Sequence, residues 1–599
     1  MGSNNIARIQ LIKSWIHTCN QSHGGHCIST PATGAHIVGP VWLIDVRARC
    51  LRRATPSDRY LSLSYVWGSP QDDAELFQTT KQSITHFQQE GAFAEDNSVI
   101  PQTILDAIEM TRQLSQHFLW VDRFCIVQDD KEEKAEQIRN MTQIYANAYL
   151  TIIAAGGDAN NRLSKDPRPD KNRQVQSHQA LLDSANWNTR AWTLQEMQFS
   201  RRAIFFFEDT LTWECHCDLW EEHYQSPSHT SINKLEQCLI RFSEFSSGHQ
   251  RTTWPDMEQY ALLVARFSTR KVSKGTDTLP AFSGILTFLS GSFPGGFVYG
   301  LPAMFFDVAL LWRPTKILRR KSDHPSWSWL GWDFGDTEID LTLWRATLDY
   351  VLESQRWRRG QYLPRFKSPY SSTVTPKLCW TLVGHVSSIT IENAGFRFRY
   401  FNQHFAPPGD ESTELPPGWK MTQYAFQHES DTRTYFTYPI PLQLENPAPS
   451  HINERYLECG RILSFETARA WFKIEFYCYK SPFYGSNQDI AIGNIYAADG
   501  AWVGHFRSHD GRLGLSKYNF DGSEKLEFIF ISEGKERDGS HLFDKRFFNK
   551  HVNRKGWLEF VNVLWIEWKG RTAERRGLGH IVKKVWEMQP KEMLQVLLE

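Results

Sequence analysis

Three short strand-like runs, separated by segments of helical periodicity, constrain the fold of this 599-residue chain more than any other feature. The runs are YLSLSYV (60–66), FLWV (118–121) and YLTIIAA (149–155). The first run alternates apolar and small polar side chains, as a strand does. A continuous apolar run such as FLWV is typical of a strand buried on both faces of a parallel sheet. Residues 101–108 and 138–148, which lie between the runs, place apolar side chains at helical spacing. This alternation predicts an α/β domain with a parallel sheet and right-handed crossovers.

The residues at the ends of these runs are candidates for a binding rim. In open parallel sheets, ligands bind outside the carboxyl ends of the strands, and these ends meet at one edge. The sequence therefore predicts a rim there, although the geometry alone predicts no particular reaction. The residues at the three strand ends are Tyr65, Trp67 and Gly68, then Asp122 and Arg123, then Gly156 and Gly157.

The second half of the chain has a different pattern. From about residue 375 onward, short runs of period two dominate, which predicts an antiparallel sandwich or barrel. Residues 281–306 carry no charge, but Gly and Pro interrupt them, so they predict a buried helix, a loop and a second buried segment. The period-two runs are FRFRYF (396–401), WFKIEFYCYK (471–480), IGNIYAA (492–498) and KLEFIFIS (525–532).

Length and composition bound the organisation. A chain of 599 residues exceeds one hydrophobic core, so two or more domains are expected. We predict an N-terminal extension (1–40), an α/β domain (41–220), a helical and mixed region (221–370) and a β-rich C-terminal domain (371–599). The 67 basic residues balance 67 acidic ones, which argues against nucleic acid as a partner. Ten scattered Cys, no apolar leader at the N-terminus and no membrane span predict a cytoplasmic protein.

Three separated segments carry a shared signature: LSLSYVWG (61–68), LWVDRFCIVQDD (119–130) and RAWTLQE (190–196). Their order and spacing resemble the heterokaryon incompatibility (HET) domain of filamentous fungi over roughly residues 40–215. The chain departs from the family pattern at Arg123-Phe124, where a cation stands beside Asp122. Besides the strand-end residues, the resemblance adds Gln128, Arg190, Trp192, Gln195 and Glu196 to the candidate site.

The resemblance implies a function. The HET family acts in non-self recognition and regulated cell death. HET domains are similar to Toll/interleukin-1 receptor (TIR) domains, which share a flavodoxin-like order of elements, and some of those domains hydrolyse NAD with a glutamate after the third strand. Glu196 stands at that place in this chain and is the candidate catalytic carboxylate.

Two interpretations remain open on the sequence. In the first, the α/β domain is a cell-death effector that works through self-association or a protein partner, and the sequence establishes no cofactor. In the second, it is an NAD glycohydrolase with Glu196 at its centre and NAD as the substrate. Glu196 would otherwise have a structural role, pairing with Arg190 or Arg202 and capping a helix. The sequence contains no recognised nucleophile or phosphate-binding motif, so the question whether the protein is an enzyme stays open.

Two clusters of possible metal ligands occur in the sequence. The first contains a Gly pair, which predicts a flexible loop, and it lacks a C-x-x-C knuckle; ordinary loop residues and a zinc site both remain open. The second alternates along a predicted strand, which disfavours joint chelation. We therefore assign no metal to the sequence. The clusters are His17, Cys19, His23, His26 and Cys27, and Cys215, His216, Cys217 and His223.

Overall fold

The structure is a computed structural model. The chain divides into an N-terminal unit (Met1–Arg251, Lys271–Ser273 and Pro280–Ile285) and a C-terminal unit (Thr252–Arg270, Lys274–Leu279 and Leu286–Glu599). The residues described are 3–28, 39–68, 77–163 without 96 and 98, 176–223, 257–344 without 336 and 342, 372–392, 418–421, 426–429, 431–436, 455–480, 489–509, 525–536 and 545–599.

The N-terminal unit alternates strands and helices. Its strands are β1 (Trp42–Asp45), β2 (Cys50–Arg53), β3 (Tyr60–Ser64), β4 (Phe118–Trp120), β5 (Leu150–Ala154), β6 (Arg202–Phe206), β7 (Leu211–Cys215) and β8 (Leu219–Glu221). Its helices are α1 (Ser3–Cys27), α2 (Ile84–Phe87), α3 (Gln102–Gln113), α4 (Asp122–Cys125), α5 (Lys131–Arg139), α6 (Met141–Asn147), α7 (His178–Ser184), a 3₁₀ turn (Asn186–Thr189) and α8 (Ala191–Phe199).

The eight strands form one sheet in the order β2-β1-β4-β3-β5-β6-β7-β8. The four central strands β4, β3, β5 and β6 are parallel, and antiparallel strands flank them on both edges. Numbered by their place in the chain, the parallel strands run 2-1-3-4, which is the flavodoxin-like order. The predicted α/β class with a flavodoxin-like parallel sheet is confirmed.

Burial explains why the side chains of the central strands β3 and β5 are apolar or carry a hydroxyl that finds a partner. Every residue of β3 and of β5 is buried, as a strand covered on both faces requires. Small hydroxyl side chains in these strands satisfy one another: Ser62 Oγ lies 2.9 Å from Thr151 Oγ1, which lies 2.6 Å from Ser200 Oγ. Ser200 Oγ in turn donates to the carbonyl of Glu196 at 2.6 Å. This ladder joins β3, β5 and the end of α8 and gives each of its hydroxyls a partner.

Helix starts follow local sequence signals. Asp130 caps α5, and its carboxylate accepts hydrogen bonds from the backbone of Glu132 and Glu133 at 3.2 Å. Lys81 Nζ lies 2.9 Å from the same carboxylate. Pro101 precedes α3, whose buried residues pack on β3 and β4. The helix α3 connects β3 to β4, and α5 lies in the connection from β4 to β5. Because these strands are parallel, their carboxyl ends meet at one edge of the sheet.

The segment from His17 to Cys27 is helical, and the predicted flexible loop is wrong. It forms the last three turns of α1, which runs through Gly24 and Gly25. Glycine costs a helix about 1 kcal/mol relative to alanine, and tertiary packing overrides such penalties. Here α1 packs on β7, and Trp15 contacts Trp220 with ring centroids 6.4 Å apart.

The C-terminal unit begins with helices and short strands. These are α9 (Met257–Ser268), α10 (Pro280–Leu289), β9 (Phe297–Val298), β10 (Leu301–Pro302), α11 (Phe306–Ala309), β11 (Arg319–Arg320) and β12 (Trp332–Asp333), with 3₁₀ turns at Gly275–Asp277, Ala303–Phe305 and Trp329–Gly331. Residues 280–285 of α10 belong to the N-terminal unit. The prediction of a buried helix, a loop and a second buried segment over 281–306 is confirmed.

The remaining strands are β13 (Ser372–Pro376), β14 (Thr381–Val383), β15 (Ser388–Thr390), β16 (Trp419–Met421), β17 (Phe426–His428), β18 (Asp431–Phe436), β19 (Ile462–Lys480), β20 (Asp489–Tyr496), β21 (Trp502–Ser508), β22 (Lys525–Glu536), β23 (Leu558–Lys569), β24 (Thr572–Val582) and β25 (Glu592–Leu598), with helices α12 (Lys545–His551) and α13 (Lys583–Met588). The predicted β-rich C-terminal region is confirmed. The run FRFRYF (396–401) lies outside the described residues.

The large sheet of this unit closes on itself. It runs β22-β23-β24-β21-β20-β19, and β19 also pairs with β22, so these six strands form an antiparallel barrel. Phe472, Phe506 and Phe528 fill its interior together with Trp565. Of the two architectures that the period-two runs predict, the barrel is the one observed.

The buried Arg575 holds the segment around Trp312 in place within this unit. Arg575 donates to the carbonyls of Leu310 and Trp312, and its guanidinium lies over the Trp312 ring at 4.1 Å. The indole of Trp312 donates to the carbonyl of Trp327 at 2.8 Å. Since a buried guanidinium is costly without partners, these contacts select one arrangement of the segment.

Gly284 of α10 provides a test of packing in the N-terminal unit. A Cβ at Gly284 would lie 2.7 Å from Thr142 Cγ2 and 2.8 Å from Gln195 Oε1. Gly284→Ala normally stabilises a helix by about 1 kcal/mol, but overpacking here costs about 1–3 kcal/mol. We therefore expect the variant to lower the free energy of unfolding, measured by urea denaturation. Thr287→Ala, in the same helix, is the control and should be neutral or stabilising; a stabilised Gly284→Ala variant would contradict the close packing.

Candidate functional site

The predicted rim lies where the strand order of the parallel sheet reverses. The chain crosses from β3 to β4 on one side of β3 and returns to β5 on its other side. Crevices form outside the carboxyl ends of strands at such a switch point. The ends of β3 and β5 are close: a Cβ on Gly68 would contact Asp158 at 3.7 Å. Gly68 has φ +84°, so this turn favours glycine.

Trp67 and Asp122 join the ends of β3 and β4. The indole Nε1 of Trp67 donates to Asp122 Oδ2 at 2.8 Å, and the backbone N–H of Arg123 donates to Oδ1 at 2.7 Å. The Arg123 guanidinium lies 5.5 Å from the centre of the Trp67 ring, within cation–π range. Burial raises the pKa of Asp122, and these donors oppose the shift. The side chain of Arg123 is therefore part of the rim, packed beneath Trp67.

Tyr65 lies deeper than Trp67 at the end of the same strand. Its side chain is buried, and its hydroxyl lies beside the Asp122 carboxyl. Burial and the neighbouring carboxyl raise the pKa of this phenol, so it remains protonated. The hydroxyl forms no well-oriented hydrogen bond with another described residue. Tyr65 and Asp122 therefore bring a protonated phenol and a carboxyl together at the rim.

Glu196 is the titratable group that α8 contributes to the candidate site. It lies in the middle of α8, is 6% exposed, and accepts a hydrogen bond from the Ser64 hydroxyl at the end of β3. The indole of Trp187 donates to the same Ser64 oxygen at 2.8 Å. A chain of hydrogen bonds therefore runs from Trp187 through Ser64 to Glu196 and ties α8 to the sheet.

Burial raises the pKa of Glu196 to about 7. The Ser64 hydroxyl opposes this shift, the Asp122 carboxyl adds to it, and Arg190 and Tyr145 oppose it. A carboxyl with a pKa near neutrality is able to hold or release a proton at physiological pH. Glu196 is therefore either a proton carrier or a protonated structural group.

The other predicted residues have different positions. Arg190 and Trp192 are half-buried at the start of α8. Gln195 is buried and faces Gly284 of α10. Gln128 donates to the backbone carbonyls of Asp122 and Ile126 at 3.0 and 3.2 Å, so it braces the loop after β4.

The glycines that follow β5 are required by close backbone approach. A Cβ on Gly156 would lie 2.7 Å from the backbone nitrogen of Glu208, and Gly157 has φ +120°.

The Arg202 guanidinium lies over the Tyr149 ring at 5.0 Å. Glu196 therefore has Ser64, and not Arg202, as its partner, and it lies within α8 and not at its cap.

Sequence reasoning missed Ser64, Tyr145 and Trp187. A signal for Ser64 was present, because a hydroxyl in a fully buried strand must find a partner. The hydroxyl of Tyr145 donates to the carbonyl of Leu63 at 3.2 Å, and nothing in the sequence links these two residues. Pairing of this kind follows from the helix–sheet packing.

The parallel sheet and the crevice at its strand ends define an α/β domain, and part of this domain matches a known family. Residues 60–196 match the family model described as "Heterokaryon incompatibility protein (HET)". The chain therefore carries a HET domain over these residues, as the sequence motifs predict.

A curated relative supports this assignment. The chain is similar to "Heterokaryon incompatibility protein 6, OR allele" of Neurospora crassa, with 31% identity over 121 residues. The aligned region covers 18% of this chain and 16% of the relative, so the chain matches a small part of that protein. No solved structure matches. Within the described parts of the chain, no helix is both long and apolar enough to cross a membrane.

The pKa of Glu196 predicts how stability depends on pH. The folded protein holds this proton up to about pH 7, whereas an unfolded chain releases it near pH 4.5. Wild-type stability should therefore fall as the pH rises between these values, whereas Glu196→Gln, which mimics the protonated form, should not lose it. At about 1.4 kcal/mol per pKa unit, the Gln variant should gain about 3 kcal/mol relative to wild type across this window.

Urea denaturation at several pH values measures this difference. Glu208→Gln is the control, because it replaces a carboxyl at an exposed position of the same unit. Parallel pH profiles for wild type and Glu196→Gln would show that Glu196 is ionised at neutral pH in the folded protein.

Proposed function

We propose that this protein acts in heterokaryon incompatibility, with the HET domain as an effector of non-self recognition and regulated cell death that works through self-association or binding of a protein partner. The match to the HET family over 60–196 supports the role, and so does the similarity to a protein named for heterokaryon incompatibility. The α/β rim is the surface through which it acts.

The side chains at the rim suit protein recognition. Trp67 at the end of β3 and Arg190 and Trp192 at the start of α8 are half-exposed. Trp and Arg are enriched among the residues that dominate binding energy at protein interfaces. The single observation that carries the effector mechanism is the state of Glu196. At 6% exposure, with its carboxyl bound to Ser64, this group fixes α8 to the sheet, and with it Arg190, whose charge acts on the Asp122 carboxyl at the rim.

Charge reversal at the rim tests this mechanism. Induced expression of the full chain in a filamentous fungus should arrest growth, whereas Arg190→Glu should restore it because the partner then meets the opposite charge. Arg139→Glu, on the exposed face of α5, is the matched control and should still arrest growth. Immunoblots of the soluble fraction verify equal expression, and light scattering of the purified proteins reports self-association.

Two results would contradict the effector proposal. One is full viability of cells that contain abundant soluble wild-type protein. The other is equal growth arrest by wild type and Arg190→Glu, which would exclude this part of the rim from the interaction.

A second candidate function is hydrolysis of NAD by a TIR-like site, in which water replaces nicotinamide at the ribosyl carbon. The observation that favours it is the Glu196 carboxyl, whose pKa of about 7 suits proton transfer at neutral pH. Its position after the third parallel strand also corresponds to the glutamate of NAD-hydrolysing TIR domains. Such a carboxylate stabilises an oxocarbenium-like centre in glycosidic cleavage.

An assay of NAD consumption separates the two candidates. The purified full-length protein is measured at high concentration, where clustering is favoured, with release of free nicotinamide as the readout. If Glu196 is catalytic, wild type and Glu208→Gln should consume NAD, and Glu196→Gln should lose at least about 100-fold of the rate, as removal of an essential acid or base does. Equal turnover in Glu196→Gln would exclude the carboxylate, and no turnover in any variant would leave the effector role alone.

A further inference from the structure

A second cluster of reactive side chains lies away from the rim, on the face of the N-terminal unit that α1 covers. Cys19, His23 and Cys27 are four residues apart, so they lie on one side of α1. Cys215 is the last residue of β7, on which α1 packs. The three sulfur atoms and one ring nitrogen of this cluster all lie within 4.8 Å of one another.

The distances suit a tetrahedral metal ion. Zinc binds sulfur at about 2.3 Å and imidazole nitrogen at about 2.0–2.1 Å, so two such ligands at the tetrahedral angle are about 3.5 Å apart. Cys215 Sγ lies 3.5 Å from His23 Nδ1. Cys19, Cys27 and Cys215 are buried and His23 is half-buried, so water has limited access to the space between them.

Other contacts position α1 independently of the cluster. The Arg8 guanidinium binds both oxygens of Glu222 at 2.6 and 2.9 Å. The Trp15 ring contacts Trp220 with ring centroids 6.4 Å apart. Contacts of α1 outside the proposed ligands therefore hold the helix against the β7–β8 edge.

Arg202 supplies an independent electrostatic argument. It is the cross-strand partner of Cys215 in the β6–β7 pair, so the two side chains lie on the same face. Its guanidinium is 1% exposed, and none of its three nitrogen atoms has a hydrogen-bond partner among the described residues. A buried cation without a compensating anion is strongly unfavourable. The Tyr149 ring, 5.0 Å from the guanidinium, offsets part of this cost. A nearby anion would offset more of it, and protonated thiols do not provide one.

We propose that Cys19, His23, Cys27 and Cys215 form a structural zinc site that fixes α1 to the edge of the HET-domain sheet. Three thiolates, a neutral imidazole and Zn²⁺ carry a net charge of −1, which complements the buried Arg202. Four protein ligands leave no open position, which is typical of structural zinc and not of catalytic zinc. Sulfur and imidazole donors in a tetrahedral arrangement favour zinc over harder cations such as Mg²⁺ or Ca²⁺.

Cys217 lies next to this set without belonging to it. Its sulfur is 3.8 Å from that of Cys27, but the residue is exposed and follows the end of β7. Cys217 is the alternative to His23 as the fourth zinc ligand, and the test therefore includes a Cys217 variant.

Metal content of the full-length protein is the primary test. Protein purified from zinc-supplemented cultures should contain one zinc per chain by elemental mass spectrometry. Cys215→Ser and His23→Ala should lose the zinc, whereas Cys50→Ser, at a half-buried thiol on β2, should retain it. Cobalt replacement should give the visible ligand-field bands of a tetrahedral site and a thiolate charge-transfer band.

Several outcomes would overturn the proposal. Wild type with far less than one zinc per chain, or unchanged zinc in Cys215→Ser, would exclude the site, and a Cys27–Cys217 disulfide in the native protein would do the same. Loss of zinc in Cys217→Ser with retention in His23→Ala would overturn the assignment of His23. If the ligand variants do not fold, X-ray absorption of the wild-type zinc protein decides: three sulfur atoms and one nitrogen support the site, and any other set contradicts it.

Discussion

The hydrogen bond between Ser64 and Glu196 is the constraint around which the HET-domain rim is arranged. A carboxyl buried between a helix and a sheet needs a donor, and Ser64 is the donor at the end of β3. Meeting this requirement fixes the height of α8 over the sheet, and the Ser62–Thr151–Ser200 ladder fixes its far end. The start of α8 then lies beside the strand ends, so the half-exposed side chains there are presented by a rigid support.

The parts of this arrangement that the sequence predicted are those with a local signature. Buried strands have the pattern of apolar runs, and residues that end parallel strands meet at one edge, so the amino-acid sequence was sufficient to place Trp67 and Asp122 together. It was not sufficient for the partners of Glu196, because Trp187, Ser64 and Glu196 meet through helix–sheet packing across more than a hundred residues of chain. The sequence also did not predict the contact of Gln195 with Gly284, since the motif position of Gln195 says nothing about the helix that covers it.

The cysteine and histidine clusters also show that the sequence does not predict contacts made through tertiary packing. Each cluster is an incomplete ligand set on its own, and the N-terminal one was predicted to be a loop because of its glycines. Two facts complete the set, and both are tertiary: α1 continues to Cys27, and it lies on β7 where that strand ends at Cys215. The buried guanidinium of Arg202 indicates a negative charge nearby, and this argument does not depend on the spacing of the cysteines. The pairing of β6 with β7 places Arg202 beside Cys215.

The contact of Gly284 with Thr142 and Gln195 has a consequence for the order of events during synthesis. The first half of α10 belongs to the N-terminal unit, although the chain reaches it only after α9. While the ribosome adds residues one by one, the HET domain emerges with one side of α8 uncovered, and it stays so until about residue 285 leaves the exit tunnel. A nascent or truncated chain that stops before α10 therefore exposes surface that the finished protein buries, which makes such fragments prone to aggregation and candidates for chaperone binding.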